Sequence, residues 1–178
     1  MKIKELMRTG HVKRWHIVRV GREQTIAEHM YRVWLICEEI GARSHMEWHR
    51  RIQMERIALV HDIPEVVMGD IPTPTKLVIG DNTECLDKLE EGIDKVNQWF
   101  IQEMRESDPI LVDVVKLADM IEAIHFLKEE GIGDHARSVR SLITDQYHDK
   151  LKNTRQKYPE HATLLDSVVD VYTDLTIS

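Results

Sequence analysis

Apolar residues recur at the spacing of an α-helix through most of this 178-residue chain, and this pattern restricts the fold more than any other feature. The clearest stripe has members three or four residues apart: Ile26, Met30, Val33, Cys37 and Ile40. Such residues share one face of a helix, whereas the alternating pattern of strands is scarce. Because one core commonly spans roughly 100–200 residues, the sequence predicts an all-α, single-domain helical bundle over residues 1–178.

Start and stop signals divide the chain into helices and one rigid loop. The predicted helices cover approximately Glu23–Ile40, Glu47–His61, Asp81–Arg105, Asp108-Pro109 to Glu130, Asp134–Tyr147 or a little beyond, and Glu160–Thr176. Gly41 is expected just past the end of the first of these, where a left-handed residue often follows a helix. Pro72 and Pro74 fix φ and remove donors, so Gly69–Thr75 is expected to be rigid.

Composition and charge argue against several classes of protein. The net charge of −7 disfavours a nucleic-acid polymer as partner, because binding to a phosphate backbone needs a basic face. No segment approaches the roughly 20 consecutive apolar residues of a membrane span, and the N-terminus lacks the apolar run of a secretory signal. The expected location is therefore the cytoplasm. Cys37 and Cys85 lie far apart and outside any CxxC pattern, which disfavours a disulfide framework and a zinc ribbon.

Four side chains of metal-binding type fall where helices of a bundle can bring them together. His29 lies on the apolar stripe described above, and the adjacent pair His61-Asp62 lies near a helix end. Asp119 lies on the apolar face of a later helix, and Glu122 shares that face. Two imidazoles and two carboxylates suit Zn²⁺, Mn²⁺, Co²⁺ or Fe²⁺, and suit Mg²⁺ less naturally.

Each of these residues also has a purely structural interpretation. His29 alone could be a hydrogen-bonded core histidine. Asp62, followed at the third position by Glu65, matches a helix N-cap that needs no metal. Asp119 is harder to explain in this way, because an unpaired carboxylate on an apolar face costs several kcal/mol, by order of magnitude, unless a cation or donors meet it. Taken together, the four residues favour a metal site.

In their order along the chain, these residues resemble the HD-domain phosphohydrolases, which are defined by the pattern H…HD…D. The flanking motifs are similar to those of bacterial 5′-deoxynucleotidases, and still more to those of small phage dATP triphosphohydrolases from genomes that carry 2-aminoadenine. The motifs are Arg14-Trp15-x-Ile17, Glu28-His29, His61-Asp62-x-x-Glu65, Gly69 to Lys76 with its Pro74-x-Lys76 spacing, and Lys116-x-Ala118-Asp119. They cover residues 14–119, with weaker similarity beyond.

This resemblance implies an HD-type helical fold and a divalent metal, Zn²⁺, Co²⁺ or Mn²⁺, held by His29, His61, Asp62 and Asp119. It also implies a homo-oligomer, a dimer or a hexamer, and a small-molecule deoxynucleotide as substrate. For a phage-encoded chain the cytoplasm would be that of the host.

The roles of the remaining site residues follow from their chemistry. Glu65 lies one helical turn after His61 and is expected to orient or deprotonate the attacking water, with Asp70 helping to hold a second metal, Mg²⁺ among the candidates. Arg14 offers a planar, permanently charged group for phosphate, and Lys76 a point charge on the proline loop, although simple surface solvation is the alternative for both.

Three further residues are expected to contact the nucleoside. Trp15 can stack on the base or sugar, with core packing as the alternative. Ile17 and Pro74 offer no acceptor, so an adenine C2–H would tolerate them, whereas a 2-amino group would lose its water at a cost of about 1–3 kcal/mol.

The leading hypothesis is therefore a dATP triphosphohydrolase: water attacks the α-phosphorus and releases deoxyadenosine and triphosphate, and the same site would also dephosphorylate dADP or dAMP. The cations Lys13, Arg19 and Arg22 weakly favour the triphosphate. The alternative is a 5′-deoxynucleotidase acting on deoxynucleoside monophosphates. A non-catalytic metal- or nucleotide-binding module is the rival from a different class, and it would not need Glu65 or Lys76.

Overall fold

A computed structural model describes residues 3–72 and 107–177, and all regular secondary structure in these ranges is helical. The elements are α1 (Ile3–Leu6), a 3₁₀ turn (Met7–Gly10), α2 (Ile26–Arg43), α3 (Trp48–Val60), α4 (Glu65–Met68), α5 (Pro109–Glu130), α6 (Gly133–Lys157), a second 3₁₀ turn (Pro159–His161) and α7 (Ala162–Thr176). The predicted all-α class is confirmed. The predicted helix over 81–105, together with Pro74, Lys76 and Cys85, lies outside the described residues.

Helix α5 is the centre of the packing. It begins where the Asp108 carboxylate accepts the backbone N–H of Ile110, with Pro109 in the first turn. It contacts α2, α3, α6 and α7, and residues on more than one of its faces are buried. The core around it combines Val33, Cys37, Ile40, Met54, Ile57, Leu111, Val114, Leu117, Ile121, Leu165 and Val168. A side chain on α5 is therefore held from several directions.

Helix α2 begins at Ile26, three residues after the predicted Glu23, and ends at Arg43, three residues after the predicted Ile40. The Thr25 hydroxyl accepts the N–H of Glu28 at 3.2 Å and caps the helix. The expectation that Gly41 follows the helix is wrong, because the helix continues to Arg43. A Cβ at Gly41 would lie 3.1 Å from the Arg51 side chain, so the glycine serves the close approach of α3 and not a left-handed turn.

Helix α6 reaches Lys157, well past the predicted Tyr147. Only Leu151 and Thr154 are buried in its last turns, so the apolar stripe is too thin to indicate a helix there. Ion pairs from Lys150 and Lys157 to Asp113 instead fasten this end to α5.

The segment after α3 carries two predicted site residues out of the helix. His61 ends α3, and a turn over 61–64 leads into the short helix α4, which starts at Glu65 without a side-chain cap. Asp62 therefore does not act as the N-cap. Gly69 then takes a φ of 78°, a left-handed conformation that favours glycine. No helix in the described ranges combines the length and the apolar content that crossing a bilayer requires.

Candidate metal and substrate site

Three helices bring the predicted metal ligands to one point. Helix α2 supplies His29, the end of α3 supplies His61, and α5 supplies Asp119; one nitrogen or oxygen atom of each lies within 4.8 Å of the others. His29 Nε2 is 3.0 Å from Asp119 Oδ1 and 3.4 Å from Asp62 Oδ2. The structure thus brings together the two histidines and two aspartates that the sequence singled out.

Both imidazole rings are oriented by a contact at Nδ1, the ring nitrogen that does not face the aspartates. His61 Nδ1 lies 2.8 Å from the carbonyl oxygen of Ala58, and His29 Nδ1 lies 2.7 Å from Glu122 Oε2. Because a carbonyl and a carboxylate only accept, both Nδ1 atoms carry the proton. Each Nε2 atom is buried and, within residues 3–72 and 107–177, lacks a hydrogen bond of good geometry.

These orphaned nitrogens fit a divalent metal. A ligating histidine usually donates its second N–H to a carbonyl or carboxylate, and that is the arrangement at His29 and His61. Two nitrogens with the Asp62 and Asp119 carboxylates form a ligand set suited to Zn²⁺. The residues present could therefore hold such an ion.

The electrostatics of the site lead to the same conclusion. Burial alone would lower the pKa of His29, and Arg14 acts in the same direction, but the carboxylates of Asp119 and Glu122 outweigh both and raise it to about 9. Burial opposes ionisation of Asp119 and Glu122, yet His29 and Arg14 hold the pKa of each below its ordinary value. The acidic groups thus require positive charge at this point, from a proton or from a metal ion.

Sequence reasoning missed the role of Glu122. The side chain is almost fully buried (1% exposed) and contacts His29 directly. Its position was visible in advance, because it lies three residues after Asp119 and therefore on the same helical face. A buried acid one turn from a predicted ligand was the signal that could have identified it.

The segment before α2 carries the predicted phosphate and base contacts. Arg14 is mostly buried, 3.9 Å from Asp119 Oδ1 and 3.6 Å from Glu122 Oε2, and its Nη1 atom has no hydrogen-bond partner in the described part of the chain. The surrounding carboxylates, Asp119 foremost, outweigh its burial and raise its pKa. The guanidinium therefore stays charged beside the metal-ligand candidates.

Trp15 shows the core packing that the sequence offered as one of its two interpretations. Its ring stacks on Phe126 with 5.7 Å between centroids, and its indole N–H donates to Gln24 Oε1 at 2.8 Å. It also takes a φ of 66°, which is uncommon for a bulky residue and costs on the order of 1–3 kcal/mol. Trp15 packs against the core on one side and lines a cavity on the other.

This cavity has a volume of about 210 Å³, and two of the metal-ligand candidates, Asp62 and Asp119, line it. Its acidic floor contains Asp62, Glu65, Asp70 and Asp119, and Ile17, about half exposed (51%), contributes to its wall. Helix α6 forms another wall with His135, Val139, Leu142, Ile143 and Gln146. The sequence does not reveal this role of α6, because an apolar stripe that lines a cavity looks the same as one that packs a core. Predicted residues Pro74 and Lys76 lie outside the described ranges.

Two of the cations predicted to favour a triphosphate are already paired. Lys13 contacts Glu23 at 2.5 Å, and Arg22 forms ion pairs with Glu28 at 2.7 Å and Glu130 at 3.1 Å. Neither is among the residues that line the cavity. Of the charged donors in the described ranges, Arg14 is the one that lies at the floor.

Comparison with known proteins places this chain in a family. The chain is 36% identical to a dATP triphosphohydrolase of Cyanophage S-2L over 94% of this chain and 85% of the relative. It is 31% identical to a dATP triphosphohydrolase of Acinetobacter phage SH-Ab 15497 over 89% of this chain and 84% of the relative. The solved structure of the Cyanophage S-2L HD phosphohydrolase (DatZ), bound to dA and one catalytic Zn²⁺ ion, matches with a TM-score of 0.81 and 30% identity, covering 98% of this chain and 95% of that chain.

The helical fold and this likeness define an HD-domain hydrolase, as the resemblance in the sequence predicted. More narrowly, the chain belongs to the 5′-deoxynucleotidase YfbR-like family, whose profile matches residues 3–158. Because both this family and the phage relatives are named as hydrolases, the non-catalytic module is not supported.

Proposed function

We propose that this protein hydrolyses dATP to deoxyadenosine and triphosphate, with a divalent metal held by His29, His61, Asp62 and Asp119. One observation carries the proposal: two orphaned histidine nitrogens meet the Asp119 carboxylate, and Asp119 lines a cavity together with a buried, charged Arg14. Similarity over nearly the whole chain to proteins named dATP triphosphohydrolase supports dATP as the substrate.

The chemistry assigned to the site is an attack of water on the α-phosphorus. When bound, a divalent metal supplies Lewis-acid polarisation of the phosphate and a more acidic water. Glu65 lines the cavity and accepts the proton of the attacking water, and Asp70, which also lines the cavity, is assigned to help hold a second ion. The bond between phosphorus and O5′ breaks, and O5′ takes up a proton as deoxyadenosine leaves.

Arg14 is assigned to the phosphates. Its guanidinium lies beside Asp119, and the buried Nη1 donor lacks a hydrogen bond within the described ranges, so it is available to a phosphate oxygen. Lys76 is assigned the same role from the sequence motif. Both charges would offset the negative charge that grows on the phosphates as the bond breaks.

Base selection is assigned to the apolar wall. Ile17 lies on the cavity wall with Trp15, and neither side chain offers an acceptor for a 2-amino group. Pro74, which lies outside the described residues, is assigned the same role from the sequence motif. A purine with a 2-amino group would therefore bind less well than adenine, by about 1–3 kcal/mol for one unsatisfied donor.

The proposal also covers the identity of the metal, the oligomeric state and the cellular location. Zn²⁺ is the first choice, because the neighbouring structure contains one catalytic Zn²⁺ ion, and Co²⁺ or Mn²⁺ would suit the same ligands. We further propose one domain over the chain, a homo-oligomer (dimer or hexamer), and action in the cytoplasm.

Product analysis tests the activity directly. Purified protein with Zn²⁺ or Co²⁺ is incubated with dATP, and the products are followed by phosphorus NMR and ion-exchange chromatography. We expect triphosphate and deoxyadenosine. Accumulation of phosphate or diphosphate from dATP, without triphosphate, would contradict the proposal.

A 5′-deoxynucleotidase acting on deoxynucleoside monophosphates is the second candidate. The pairing of Lys13 and Arg22 with glutamates favours it, because those cations are not free for the β- and γ-phosphates. With this activity, dAMP would be converted faster than dATP in the same assay, and other deoxynucleoside monophosphates would react comparably.

A further inference from the structure

Gln24 and Glu122 form a buried polar pair behind the metal-ligand candidates. Gln24 Nε2 donates to Glu122 Oε1 at 2.6 Å, and both side chains are almost completely buried. The two residues come from different parts of the chain, the segment before α2 and the middle of α5. Only tertiary packing brings them together.

Glu122 connects this pair to the proposed metal site. Its second oxygen, Oε2, accepts the Nδ1–H of His29 at 2.7 Å, and this bond directs Nε2 of the same ring toward Asp62 and Asp119. A carboxylate is a stronger acceptor than a carbonyl for this purpose, and such partners fix both the tautomer and the orientation of ligating histidines.

Gln24 connects the pair to the proposed substrate contacts. Its Oε1 accepts the indole N–H of Trp15 at 2.8 Å, and its backbone oxygen accepts the N–H of Arg14 at 2.9 Å. Because Glu122 only accepts, the Gln24 amide must turn its NH₂ toward Glu122 and its oxygen toward Trp15. The orientation of one buried amide thus sets the position of the strained tryptophan.

Simple packing does not explain this arrangement. A buried carboxylate and amide cost several kcal/mol, by order of magnitude, unless every polar atom is satisfied, and an apolar pair would fill the same space. Here Glu122 Oε2 accepts from His29 and Gln24 Oε1 accepts from Trp15, while the remaining atoms, Glu122 Oε1 and Gln24 Nε2, bind each other.

We propose that Glu122 and Gln24 are positioning residues that couple metal binding to substrate binding. Glu122 holds His29 for the metal, Gln24 holds Trp15 and Arg14 for the nucleotide, and the bond between them links the two. The inference rests on the proposed function for the roles of His29, Arg14 and Trp15. Neither Glu122 nor Gln24 is among the residues that line the cavity.

Glu122→Gln tests the metal side of the coupling. The replacement is isosteric, but its NH₂ group must face either the His29 Nδ1–H or the Gln24 NH₂, so one hydrogen bond becomes a clash of donors. We expect the zinc Kd, measured by competition with a chromogenic chelator, to weaken about 10–100-fold. We also expect the visible spectrum of the Co²⁺ form to change. A zinc Kd within twofold of wild type, with an unchanged Co²⁺ spectrum, would overturn the proposal.

Asp113→Asn is the matched control. It removes a carboxylate from the same helix, but one that pairs with Lys150 and Lys157 away from the cavity. Its zinc Kd and Co²⁺ spectrum should equal those of wild type. A loss of zinc affinity equal to that of Glu122→Gln would show a general effect of α5 charge and would contradict the specific role.

Gln24→Met tests the substrate side and serves if Glu122→Gln does not fold. It removes the acceptor of Trp15 and the donor to Glu122 while nearly keeping the volume. We expect the KM for dATP to rise about 2–10-fold, the scale of one lost neutral hydrogen bond, with a smaller loss of zinc affinity. The proposal is wrong if KM and zinc Kd both stay within twofold of wild type.

The two proposals fail in different ways. The zinc measurements need no turnover, so a wild-type protein that binds zinc but does not hydrolyse dATP would contradict the proposed function and still decide the role of Glu122. In that case the substrate side is measured as the Kd for dAMP in the zinc-loaded protein. Conversely, normal dATP hydrolysis with wild-type zinc affinity in Glu122→Gln would contradict only the coupling.

Discussion

Helix α5 carries two acidic sites less than two turns apart, and their charges are balanced in different ways. Asp113 accepts from Lys150 at 2.8 Å and lies 3.4 Å from Lys157, and these lysines overcome partial burial to lower its pKa. Asp119 and Glu122 lie among further carboxylates, and among the described residues that line the cavity none is a lysine. The first site is complete within the chain.

The negative charges of the second site, Asp119 and Glu122, are balanced by different groups. A histidine whose pKa is raised to about 9 and a buried arginine provide the positive charge near Asp62, Asp119 and Glu122. We propose that the difference separates two kinds of acid: Asp113, which pairs with lysines, supports the fold, whereas Asp62, Asp119 and Glu122 serve the proposed metal site. Five predictions, made with seven substitutions, test this distinction and the proposed site around it.

The largest effect is expected from His61→Ala and Asp119→Ala. Each removes one proposed ligand and leaves the remaining groups unpaired, so both activity and stoichiometric zinc should be lost. Elemental analysis and a dATP hydrolysis assay measure these two quantities. Full zinc content with wild-type turnover in either variant would contradict the proposal that the acids at the cavity bind a metal whereas Asp113 supports the fold.

Glu65→Gln should separate the chemical step from metal binding. If Glu65 takes the proton of the attacking water, kcat should fall by roughly 10²–10⁴-fold while zinc content stays at the wild-type level. Steady-state kinetics on the zinc-loaded variant give the answer. A kcat close to wild type would move Glu65 from the functional acids to the structural ones.

Arg14→Ala should lower kcat/KM for dATP by about 10–100-fold, the scale of a lost charge-assisted hydrogen bond of roughly 1.5–3 kcal/mol. Lys76→Ala should act in the same direction. Circular dichroism must be unchanged in both. An equal loss on an uncharged chromogenic ester would show that these cations do not contact phosphate.

Ile17→Ala should change base choice more than rate. The wild type is expected to prefer dATP over 2-amino-dATP and dGTP by about 10–100-fold, because their extra amine loses water against an apolar wall. Shortening the wall should raise kcat/KM for the 2-amino substrates more than for dATP. Competition assays with mixed nucleotides measure this ratio, and a preference that survives in Ile17→Ala would exclude the wall as its cause.

The smallest effect is expected from Asp113→Asn, which should alter stability alone by about 0.5–1.5 kcal/mol. Since the folded pKa of Asp113 lies below its ordinary value of 3.8, its contribution is present above that pH and is lost as the pH falls through the folded pKa. Chemical denaturation at pH 7 and near pH 3 should therefore show a smaller difference between variant and wild type at the lower pH. An equal difference at both values would mean that the lysine pairs do not stabilise the fold.

Much of the scaffold was predictable because helix formation is local. Apolar residues recur every three or four positions from Ile26 to Ile40 in α2. The signals that start and end α5, Asp108-Pro109 and Gly131, are each contained within about one helical turn. The H…HD…D order could also be recognised from the sequence, because each of its motifs is short and local. Where local signals thin out, as in the polar last turns of α6, the prediction ended too early.

The sequence by itself thus determined an all-helical chain with histidines and aspartates of one hydrolase family at defined helical positions. Only the tertiary structure decided that Glu122 accepts a hydrogen bond from His29, that α6 lines the cavity, and that Lys13 and Arg22 form ion pairs with glutamates. The physical reason is distance along the chain: His29 and Glu122 are 93 residues apart, and no periodic pattern within one helix specifies which face of another it will meet.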